Sequence, residues 1–515
     1  MVTSICAKRA VFTIDGVCDC DTKQFVLVDE KNGQTYEPTY CENKDGQYKL
    51  LLNIESINNQ MPLLTGEYHL ARIEAGEMKK ESCDVTIDES RISIIKSDKE
   101  YITCEPEKDD HNNLYFSVRT KLPEANSRSL KKRIAEFGFN AVYKTIEFVM
   151  PKTGKKIFIT SGSRAEIGGN EEFIYREMLK RGWDHKYHII MDFKPGISIR
   201  YKPVKMLKFI YNMATADVII VDDYYPEINK VKYSKKTSIF QVWHACGAFK
   251  TVGLERTDKK GAPPINSKVH KCYTHVPVSS QLSAFHQQEA YGIDMDKFYT
   301  VGIPRTDVFF DDRYKQDICE TIYSEYPQLK AASRVILYAP TFRGESALDA
   351  YFPQDAIDLN RLGELCRRTG SYLVIKMHPF VKDKVEIPQE YKECILDASS
   401  IREVNDLLFV TDILITDYSS VIYEFALLKR PMLFYAFDED EYIKDRDFYE
   451  SYEETVPGRI CHTFDELIEG IKMCQTEPEQ EIEIIDKFIK KNFTYTDGRA
   501  TERVVDLIES CLKRE

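Results

Sequence analysis

Short apolar runs alternate with helical segments from Lys156 onward, and this alternation constrains the fold more than any other feature. Each run is continuously apolar, as is typical of a strand that is buried on both faces. Strand–helix repeats of this kind form a parallel sheet that is covered by helices. The runs are KIFITSG, YHIIMDF, ADVIIVDDYYP, TSIFQVWHACG, RVILYAPTFRG, SYLVIKMHPF, DILITDYSS and PMLFYAFD.

The alternation starts a second time after about residue 330, which predicts two sheets rather than one. We therefore expect an α/β chain with two Rossmann-like, doubly wound domains that face a cleft. The first of these domains is predicted at residues 156–315 and the second at residues 316–515. In open parallel sheets, ligands bind beyond the carboxyl ends of the strands, so the residues after each run are candidates for a functional site.

The residues before this region have a different pattern. Short runs at regular spacing, several of them separated by Asp-Gly or Asn-Gly turns, predict a small antiparallel, sandwich-like β domain over residues 1–122. The runs are AVFTIDG, QFVLVDEKNG, QYKLLLNI, GEYHLARIEAG, CDVTID, ISIIK and YFSVRT.

Residues 123–155 form a predicted basic, amphipathic linker. Two interpretations of it stay open: a helix that packs on a neighbouring element, or a segment that rests on anionic lipid. A second stretch of similar character is Arg200–Met213. The apolar stripe of the predicted linker helix consists of Leu130, Ile134, Phe137, Val142, Ile146 and Val149.

Composition and charge exclude several classes of protein. The formal charge of −12, from 71 Lys and Arg against 83 Asp and Glu, argues against a protein that coats nucleic acid. The 14 cysteines have no metal-ligand spacing, and no apolar run approaches the roughly 20 residues of a spanning helix. Because the N-terminus also lacks the apolar core of a signal peptide, we expect a cytoplasmic protein with reduced thiols that meets a membrane only at its surface.

Polar side chains follow several of the predicted strands at the point where each strand ends. Polar residues at matching strand ends indicate a ligand site rather than coincidental packing. A histidine in such a place can take a proton near neutral pH or donate to a phosphate or leaving group. The residues concerned are His244, Thr341, Arg343, His378, Asp417, Ser419 and Ser420.

Several of these side chains suit the binding of phosphate. The guanidinium of Arg343 can bind a phosphate through two N–H groups, with a structural ion pair as the alternative. Ser419 and Ser420 lie where a helix begins, which favours an anion, although Asp417 or Ser419 can also cap that helix. Glu424, one turn later, would meet a ribose hydroxyl or lie free on the surface.

Three further basic residues are candidates for substrate binding. Arg305 follows a turn between the two predicted domains, and Arg446 precedes a turn that would close over a nucleotide. Lys250 would hold a phosphate of the acceptor, or else be solvated. The sequence contains no P-loop, HExxH or GxSxG motif and no clear DxD-like motif, so no metal site is predicted.

From about Lys156 to the C-terminus, these motifs resemble the CDP-glycerol glycerophosphotransferase family, the wall teichoic acid primases and polymerases of Gram-positive bacteria. The ribitol-phosphate polymerases are the most similar members, because of the WHACGAFKTVG and REVNDLLFVTD segments and the extra N-terminal β domain. The glycerol polymerases have a shorter HGTP loop at Ala245–Ala248. The motifs that carry the resemblance are QVWHACGAFKTVG, VGIPRTDVFF, LYAPTFRG, KMHPF, TDYSSVIYEFALLKRPMLFYAFD and YTDGRATERVV.

The resemblance implies a GT-B-like fold and the transfer of a polyol phosphate from CDP-ribitol or CDP-glycerol to a hydroxyl of a lipid-linked chain. CMP is then released, and no cofactor is required. Catalytic histidines of the family match His244, the expected general base, and His378. The implied location is the inner face of the cell membrane, beside anionic lipid and without nucleic acid. Nucleotide and phosphate contacts of the family match Arg343, Ser419, Ser420 and Arg446.

Alternatives stay open at this point. A CDP-glycerol-dependent transferase would use the same residues as a CDP-ribitol-dependent one. A GT-B nucleotide-sugar glycosyltransferase has the same fold and would release a nucleoside diphosphate instead of CMP. A non-catalytic carbohydrate-binding protein would account for the β domain but not for the histidines. The C-terminal helices, rich in Lys and Glu, can pack within the chain or against a second copy, so a homo-oligomer is also open.

Overall fold

The computed structural model describes residues 1–8, 11–18, 24–44, 46–54, 57, 63–74, 77–85, 92–97, 100–121, 130–196, 199–256, 267–344, 350–476 and 482–513. They divide into two compact units. The first is built from residues 1–128 with a short contribution from 262–267, and the second from residues 129–261 and 268–515.

In the first unit every strand pair is antiparallel. One sheet has the order β1-β2-β6-β5 and the other the order β4-β3-β7-β11-β10-β9, with β8 paired to β7. Alternate residues of β2 and β6 point inward, so Phe12 packs on Phe116 of the other sheet at 4.9 Å between ring centroids. The strands are β1 (Val2–Lys8), β2 (Val11–Val17), β3 (Phe25–Asp29), β4 (Thr35–Tyr36), β5 (Tyr40–Lys44), β6 (Gln47–Asn53), β7 (Gly66–Glu74), β8 (Glu77–Lys80), β9 (Ile92–Ser97), β10 (Glu100–Lys108) and β11 (Leu114–Lys121).

Most of the predicted runs in this unit become strands, with one exception. The predicted strand over CDVTID is replaced by isolated bridges at Ser82 and Cys83, and its residues 86–88 lie outside the described part of the chain. The domain boundary predicted at residues 122 and 123 also lies outside the described residues. Strands β1, β4, β5, β8 and β10 were not predicted. Two of them, β5 and β8, have mostly exposed side chains and so give no apolar signal.

The second unit contains two parallel sheets, as the alternation predicts, and the chain has an α/β fold. The first sheet has the order β13-β12-β14-β15 and the second the order β20-β19-β18-β21-β22-β23; β16 and β17 form a separate parallel pair. The strands are β12 (Lys156–Ser161), β13 (His188–Phe193), β14 (Val218–Val221), β15 (Ser238–Gln241), β16 (Val276–Pro277), β17 (Phe298–Tyr299), β18 (Val335–Tyr338), β19 (Tyr372–Ile375), β20 (Ile395–Asp397), β21 (Ile413–Thr416), β22 (Met432–Tyr435) and β23 (Arg459–Cys461).

Helices cover these sheets. Among the described residues, no helix is long and apolar enough to cross a membrane. The helices are α1 (Leu130–Val149), α2 (Gly169–Lys180), α3 (Trp183–Lys186), α4 (Pro203–Thr215), α5 (Gln281–Tyr291), α6 (Asp312–Glu325), α7 (Pro327–Ala331), α8 (Leu359–Thr369), α9 (Val404–Phe409), α10 (Val421–Ala426), α11 (Glu439–Asp445), α12 (Tyr452–Thr455), α13 (Phe464–Thr476), α14 (Ile482–Asn492) and α15 (Ala500–Leu512).

The last helix returns to the first sheet. Val504, Val505 and Ile508 of α15 pack in one apolar cluster with Ile157 and Val218 of β12 and β14. The sequence pattern groups these residues with the second sheet because α15 follows it in the chain. The packing therefore joins the C-terminal end of the chain to the sheet that begins at residue 156.

Helix α1 buries only part of the predicted stripe, because Val142 and Ile146 are partly buried against the core cluster that contains residues of α4. Tyr143 is fully buried and packs with residues of α4, whereas Ile134, Phe137 and Val149 of the predicted stripe are exposed. Phe148 is 90% exposed. An apolar surface thus remains on α1 that the packing within the described chain does not cover.

Candidate active site

The residues predicted from strand ends do lie at strand ends. His244 comes three residues after β15, and His378 comes three residues after β19. Thr341 and Arg343 follow β18, and Asp417 follows β21 directly. Because all four strands belong to parallel sheets, their carboxyl ends lie on one edge of each sheet.

His244 is a half-exposed histidine with one carboxylate beside it. Its side chain is 44% exposed, and its ring stacks on Trp243 with centroids 4.5 Å apart. His244 Nδ1 lies 3.7 Å from Asp223 Oδ1, slightly longer than a hydrogen bond. A carboxylate at Nδ1 orients the ring and leaves Nε2 available for a proton from substrate. Asp223 is therefore a candidate positioning residue.

His378 has a hydrogen bond that fixes its tautomer. The backbone N–H of Phe380 donates to His378 Nδ1 at 3.2 Å, and the rings of Phe342 and Phe380 each lie 4.7 Å from the imidazole. Because Nδ1 accepts, the proton of the neutral ring is on Nε2. This histidine can therefore donate a hydrogen bond without being charged.

Burial, and after it the positive charges of nearby side chains, lower the pKa of His378 to about 4. The groups concerned are Lys250, Lys376, Arg446 and, when protonated, His244. Three of these four residues were predicted as site residues from the sequence. Their shared effect on one imidazole means that they lie around it, and that the site is positive enough to attract a phosphate.

Lys250 and Arg446 are held at the border of this cluster by aromatic residues. Lys250 Nζ donates to the hydroxyl of Tyr442 at 3.3 Å. Arg446 donates to the carbonyl of Gly344 at 3.2 Å and lies over the ring of Phe342 at 5.2 Å. Phe342 in turn contacts His378, so the two basic side chains and the histidine form one continuous cluster.

Arg343, by contrast, is engaged with carboxylates. Its Nε and Nη2 donate to the two oxygens of Asp438 at 2.6 and 2.8 Å, and its Nη1 donates to Asp417 at 3.0 Å and to the carbonyl of Thr341 at 2.8 Å. Burial opposes the charge, but Asp417 and Asp438 raise the pKa of Arg343 above its usual value. These bonds occupy four of the five guanidinium N–H groups. Little of Arg343 is left to bind a phosphate in this state.

Asp417 joins the ends of β18 and β21. Its Oδ1 accepts from the backbone N–H groups of Thr341 at 2.7 Å and Tyr418 at 2.6 Å, while its Oδ2 accepts from Arg343. The ring of Tyr418 stacks on Tyr442 with centroids 3.9 Å apart. The hydroxyl of Thr341 is buried and has no hydrogen-bond partner among the residues that the structure describes. Thr341 thus offers a polar group that protein atoms leave unsatisfied.

Ser419 and Ser420 are partly exposed at the start of the short helix α10. Ser419 Oγ accepts from the N–H of Val421 at 3.4 Å, and Ser420 makes no capping bond with its side chain. Glu424 of the same helix is fully buried and forms an ion pair with Arg305. The structure therefore places Arg305 and Glu424 against each other rather than toward open solvent.

Sequence reasoning missed several residues of the site. Asp223 follows β14 by two positions, so the same rule of strand ends would have found it. Asp438 and Tyr442 lie beyond β22, and nothing in their local sequence signals that they contact Arg343 and Lys250. Among the described residues, no group of three or more His, Cys, Asp or Glu side chains is arranged to hold a metal ion.

Comparison with known families gives a match over most of the second unit. Residues 142–510 match the family described as CDP-Glycerol:Poly(glycerophosphate) glycerophosphotransferase. All of the site residues above fall within this range. The resemblance that the motifs indicate is thereby confirmed.

Relatives in two organisms extend the similarity to the N-terminal unit. The chain is 41% identical over 490 residues to the teichoic acid ribitol-phosphate polymerase TarL of Staphylococcus aureus, covering 94% of this chain and 86% of that protein. It is 37% identical over 481 residues to the teichoic acid poly(ribitol-phosphate) polymerase of Bacillus spizizenii, covering 90% of this chain and 74% of the relative.

Among solved structures, the wall teichoic acid polymerase TagF has a similar fold. The superposition has a TM-score of 0.59 at 23% identity and covers 74% of this chain and 96% of that structure. At this level of identity the likeness concerns the fold alone.

Proposed function

The chain belongs to the CDP-glycerol:poly(glycerophosphate) glycerophosphotransferase family, and from this we propose that it is a teichoic acid ribitol-phosphate polymerase. The observation that carries the proposal is the 41% identity to a ribitol-phosphate polymerase over 94% of the chain. That match includes most of the N-terminal β unit as well as the site.

The proposed reaction moves ribitol phosphate from CDP-ribitol to a hydroxyl at the end of a lipid-linked teichoic acid chain. The hydroxyl oxygen forms a bond to the phosphorus that carries ribitol. The bond between that phosphorus and the oxygen of CMP breaks, and its electron pair leaves with CMP. The hydroxyl proton must go to a base, since an alcohol is a poor nucleophile at neutral pH.

We assign the base to His244. Its side chain is exposed enough to meet a substrate, and Asp223 lies at Nδ1, which leaves Nε2 to accept the hydroxyl proton. The stacking of Trp243 limits rotation of the ring. Positioning of this kind supplies much of the catalysis in phosphoryl transfer, because there is little covalent chemistry for the protein to perform.

His378 and the basic residues around it would stabilise the leaving CMP. Neutral His378 would donate from Nε2, and Arg446 would supply positive charge to the diphosphate. Lys250 would bind a phosphate of the acceptor, and the start of α10 at Ser419 and Ser420 would add N–H groups and hydroxyls. Arg343, with Asp417 and Thr341, would shape the donor site more than it binds the phosphates, because Asp417 and Asp438 already occupy its guanidinium.

We further propose that the two parallel sheets are the halves of a GT-B-like arrangement, with the donor bound between them. Support comes from the direct contacts between loops of the two sheets. The loop after His244 pairs with a segment near Arg446 through a bridge between Lys250 and Phe448. We propose that the boundary between the two halves lies between residues 315 and 316, with α15 packed on the first half. A homo-oligomer is a separate proposal.

The inner face of the cell membrane is the proposed location, with contact through α1 and α4. These helices pack on each other and leave Phe137, Phe148 and Val204 exposed. A surface pocket of about 440 Å³ beside Val204 is lined by Lys202, Lys205 and Lys208. Asp192, which also lines it, pairs with Lys205, and the two other lysines suit an anionic headgroup. Exposed apolar side chains bordered by lysines are typical of helices that lie in the membrane interface.

The proposal is tested by measuring CMP release from purified protein. CDP-ribitol and CDP-glycerol are offered separately, each with and without a glycerol-phosphate-primed lipid acceptor. Acceptor-dependent CMP from CDP-ribitol supports the proposal. CMP from CDP-glycerol alone would move the enzyme to the glycerol branch of its family, and no CMP from either donor would refute the proposed reaction.

A further inference from the structure

The two backbone carbonyls before His244 are bound by one buried side chain. Asn170, at the start of α2, is 1% exposed. Its Nδ2 donates to the carbonyls of Val242 at 2.9 Å and Trp243 at 2.8 Å. Both carbonyls immediately precede His244 in the chain. The side-chain amide of Asn170 thus binds both carbonyl acceptors between the end of β15 and His244.

The main chain after His244 is held by a second side chain, which is itself linked to the first. Arg305 Nη1 donates to the carbonyl of His244 at 2.8 Å. The backbone N–H of Arg305 donates to Asn170 Oδ1 at 3.0 Å. The remaining guanidinium groups of Arg305 bind Glu424, which is fully buried in α10. Asn170, Arg305 and Glu424 therefore form one continuous network, which we call the loop clamp.

The conformation of the loop explains why a clamp is required. Trp243 has a φ of 50°, in the left-handed region that a bulky side chain rarely adopts. Such a conformation costs free energy and persists only where surrounding contacts fix it. The clamp bonds lie on the carbonyls of Trp243 itself and of the residues on either side. In this strained turn the His244 side chain lies beside Asp223.

We propose that Asn170, Arg305 and Glu424 are positioning residues that set the orientation of the His244 imidazole. The inference rests on the proposed function in that His244 is the base of that reaction. In this proposal Arg305 and Glu424 act on His244 through the loop and do not contact substrate, because they form an ion pair with each other. It also links α10, next to Ser419 and Ser420 of the second sheet, to the base on the first sheet.

The test uses two variants of the full chain. Asn170→Asp keeps the shape and the acceptor for Arg305 but removes both donors to the loop carbonyls. Arg305→Lys keeps a positive charge beside Glu424 but cannot make the same set of bonds. Asn492→Asp is the matched control, because Asn492 is also buried and its Nδ2 donates to a carbonyl, that of Phe488, outside the clamp.

Three quantities are measured for each protein: kcat for acceptor-dependent CMP release, Kd for CDP-ribitol by calorimetry, and the ring C–H signals of ¹³C-labelled histidine. The His244 signal is identified by its loss in His244→Ala. We expect kcat to fall about 100-fold in both clamp variants, as a displacement of about 1 Å at a reacting group can produce. Kd stays within about twofold of that of the parent protein, and the His244 signal moves while the His378 signal does not.

Two results would overturn the inference. One is parent-like kcat with an unmoved His244 signal in either folded variant. The other is a loss of donor affinity equal to the loss in rate, which would make these residues substrate contacts. If the parent protein releases no CMP from any donor, the proposed function fails, but the histidine signals still decide whether the clamp orients His244.

Discussion

Gly247 lies directly against the ring of Tyr423. A Cβ at Gly247 would come within 2.1 Å of Tyr423 Cε1, and the hydroxyl of Tyr423 donates to the carbonyl of Ala248 at 3.3 Å. The loop that carries His244 therefore packs on α10 through a contact that only glycine permits.

Gly247→Ala should lower both stability and activity. The added methyl group must displace a fully buried ring or the loop itself, which typically costs about 1–3 kcal/mol. We expect a lower urea midpoint and a reduced kcat, because the displaced loop carries His244. Gly138→Ala is the control: it lies in α1 with no atom within 4 Å of the new methyl group, and should be neutral or slightly stabilising. Equal effects of the two substitutions would contradict this account.

Asp223→Asn tests the partner of His244. The substitution keeps the size of the side chain but removes the charge that favours one orientation of the imidazole. We expect kcat to fall at least about tenfold with little change in KM for the donor. Asp184→Asn is the matched control, since Asp184 Oδ2 lies 3.5 Å from His185 Nε2 at the surface. An Asp223→Asn enzyme as fast as the control would remove Asp223 from the mechanism.

Arg343→Ala should destabilise the second sheet more than it weakens donor binding. The side chain is 9% exposed, and its loss leaves the carboxylates of Asp417 and Asp438 without their cationic partner. Breaking a buried pair in this way typically costs about 3–5 kcal/mol. Arg361→Ala, which breaks an exposed pair with Asp465, should cost less than about 1 kcal/mol. Urea unfolding of both variants measures the difference, and a stable Arg343→Ala protein with weak donor binding would instead support a phosphate contact.

Two histidines with lowered pKa values predict a loss of stability in acid. Burial lowers the pKa of His270 to about 3 and that of His378 to about 4, against about 6.5 in an unfolded chain. Between those values the unfolded state binds protons that the folded state does not, so stability falls as pH falls below about 6.5. The melting temperature should therefore drop from pH 7 toward pH 4. His270→Asn should flatten this slope, whereas His185→Asn, at an exposed site, should not.

Continuous apolar runs predicted the longer strands of both parallel sheets. A strand that is buried on both faces is apolar along its whole length, and this can be seen in its own sequence without knowledge of the neighbouring strands. The short strands β20 and β23 have three residues each and give no such signal. The stripe predicted on α1 is confirmed at Val142 and Ile146 but wrong at Phe137, for a related reason. Apolar side chains occur on several faces of that helix. Only its packing on α4 determines that Tyr143 is buried and Phe137 is exposed.

Strand ends placed His244, His378 and Asp417 on the correct edges, because the rule concerns topology and needs no partner. The pairing of Arg305 with Glu424 could not be predicted from the sequence, because 119 residues separate them in the chain. The same holds for Arg343 and Asp438, which are 95 residues apart. A charged residue in a loop has the same appearance in the sequence whether it binds a phosphate or a carboxylate of its own chain.

The proposed mechanism depends on His244 to take the proton of the attacking hydroxyl. The most direct test is acceptor-dependent CMP release from CDP-ribitol by His244→Gln, with donor affinity measured on the same protein. We predict that turnover falls at least about 100-fold while the Kd for CDP-ribitol is unchanged. Full turnover in a folded His244→Gln enzyme would contradict the account, and the base would have to be sought elsewhere in the site.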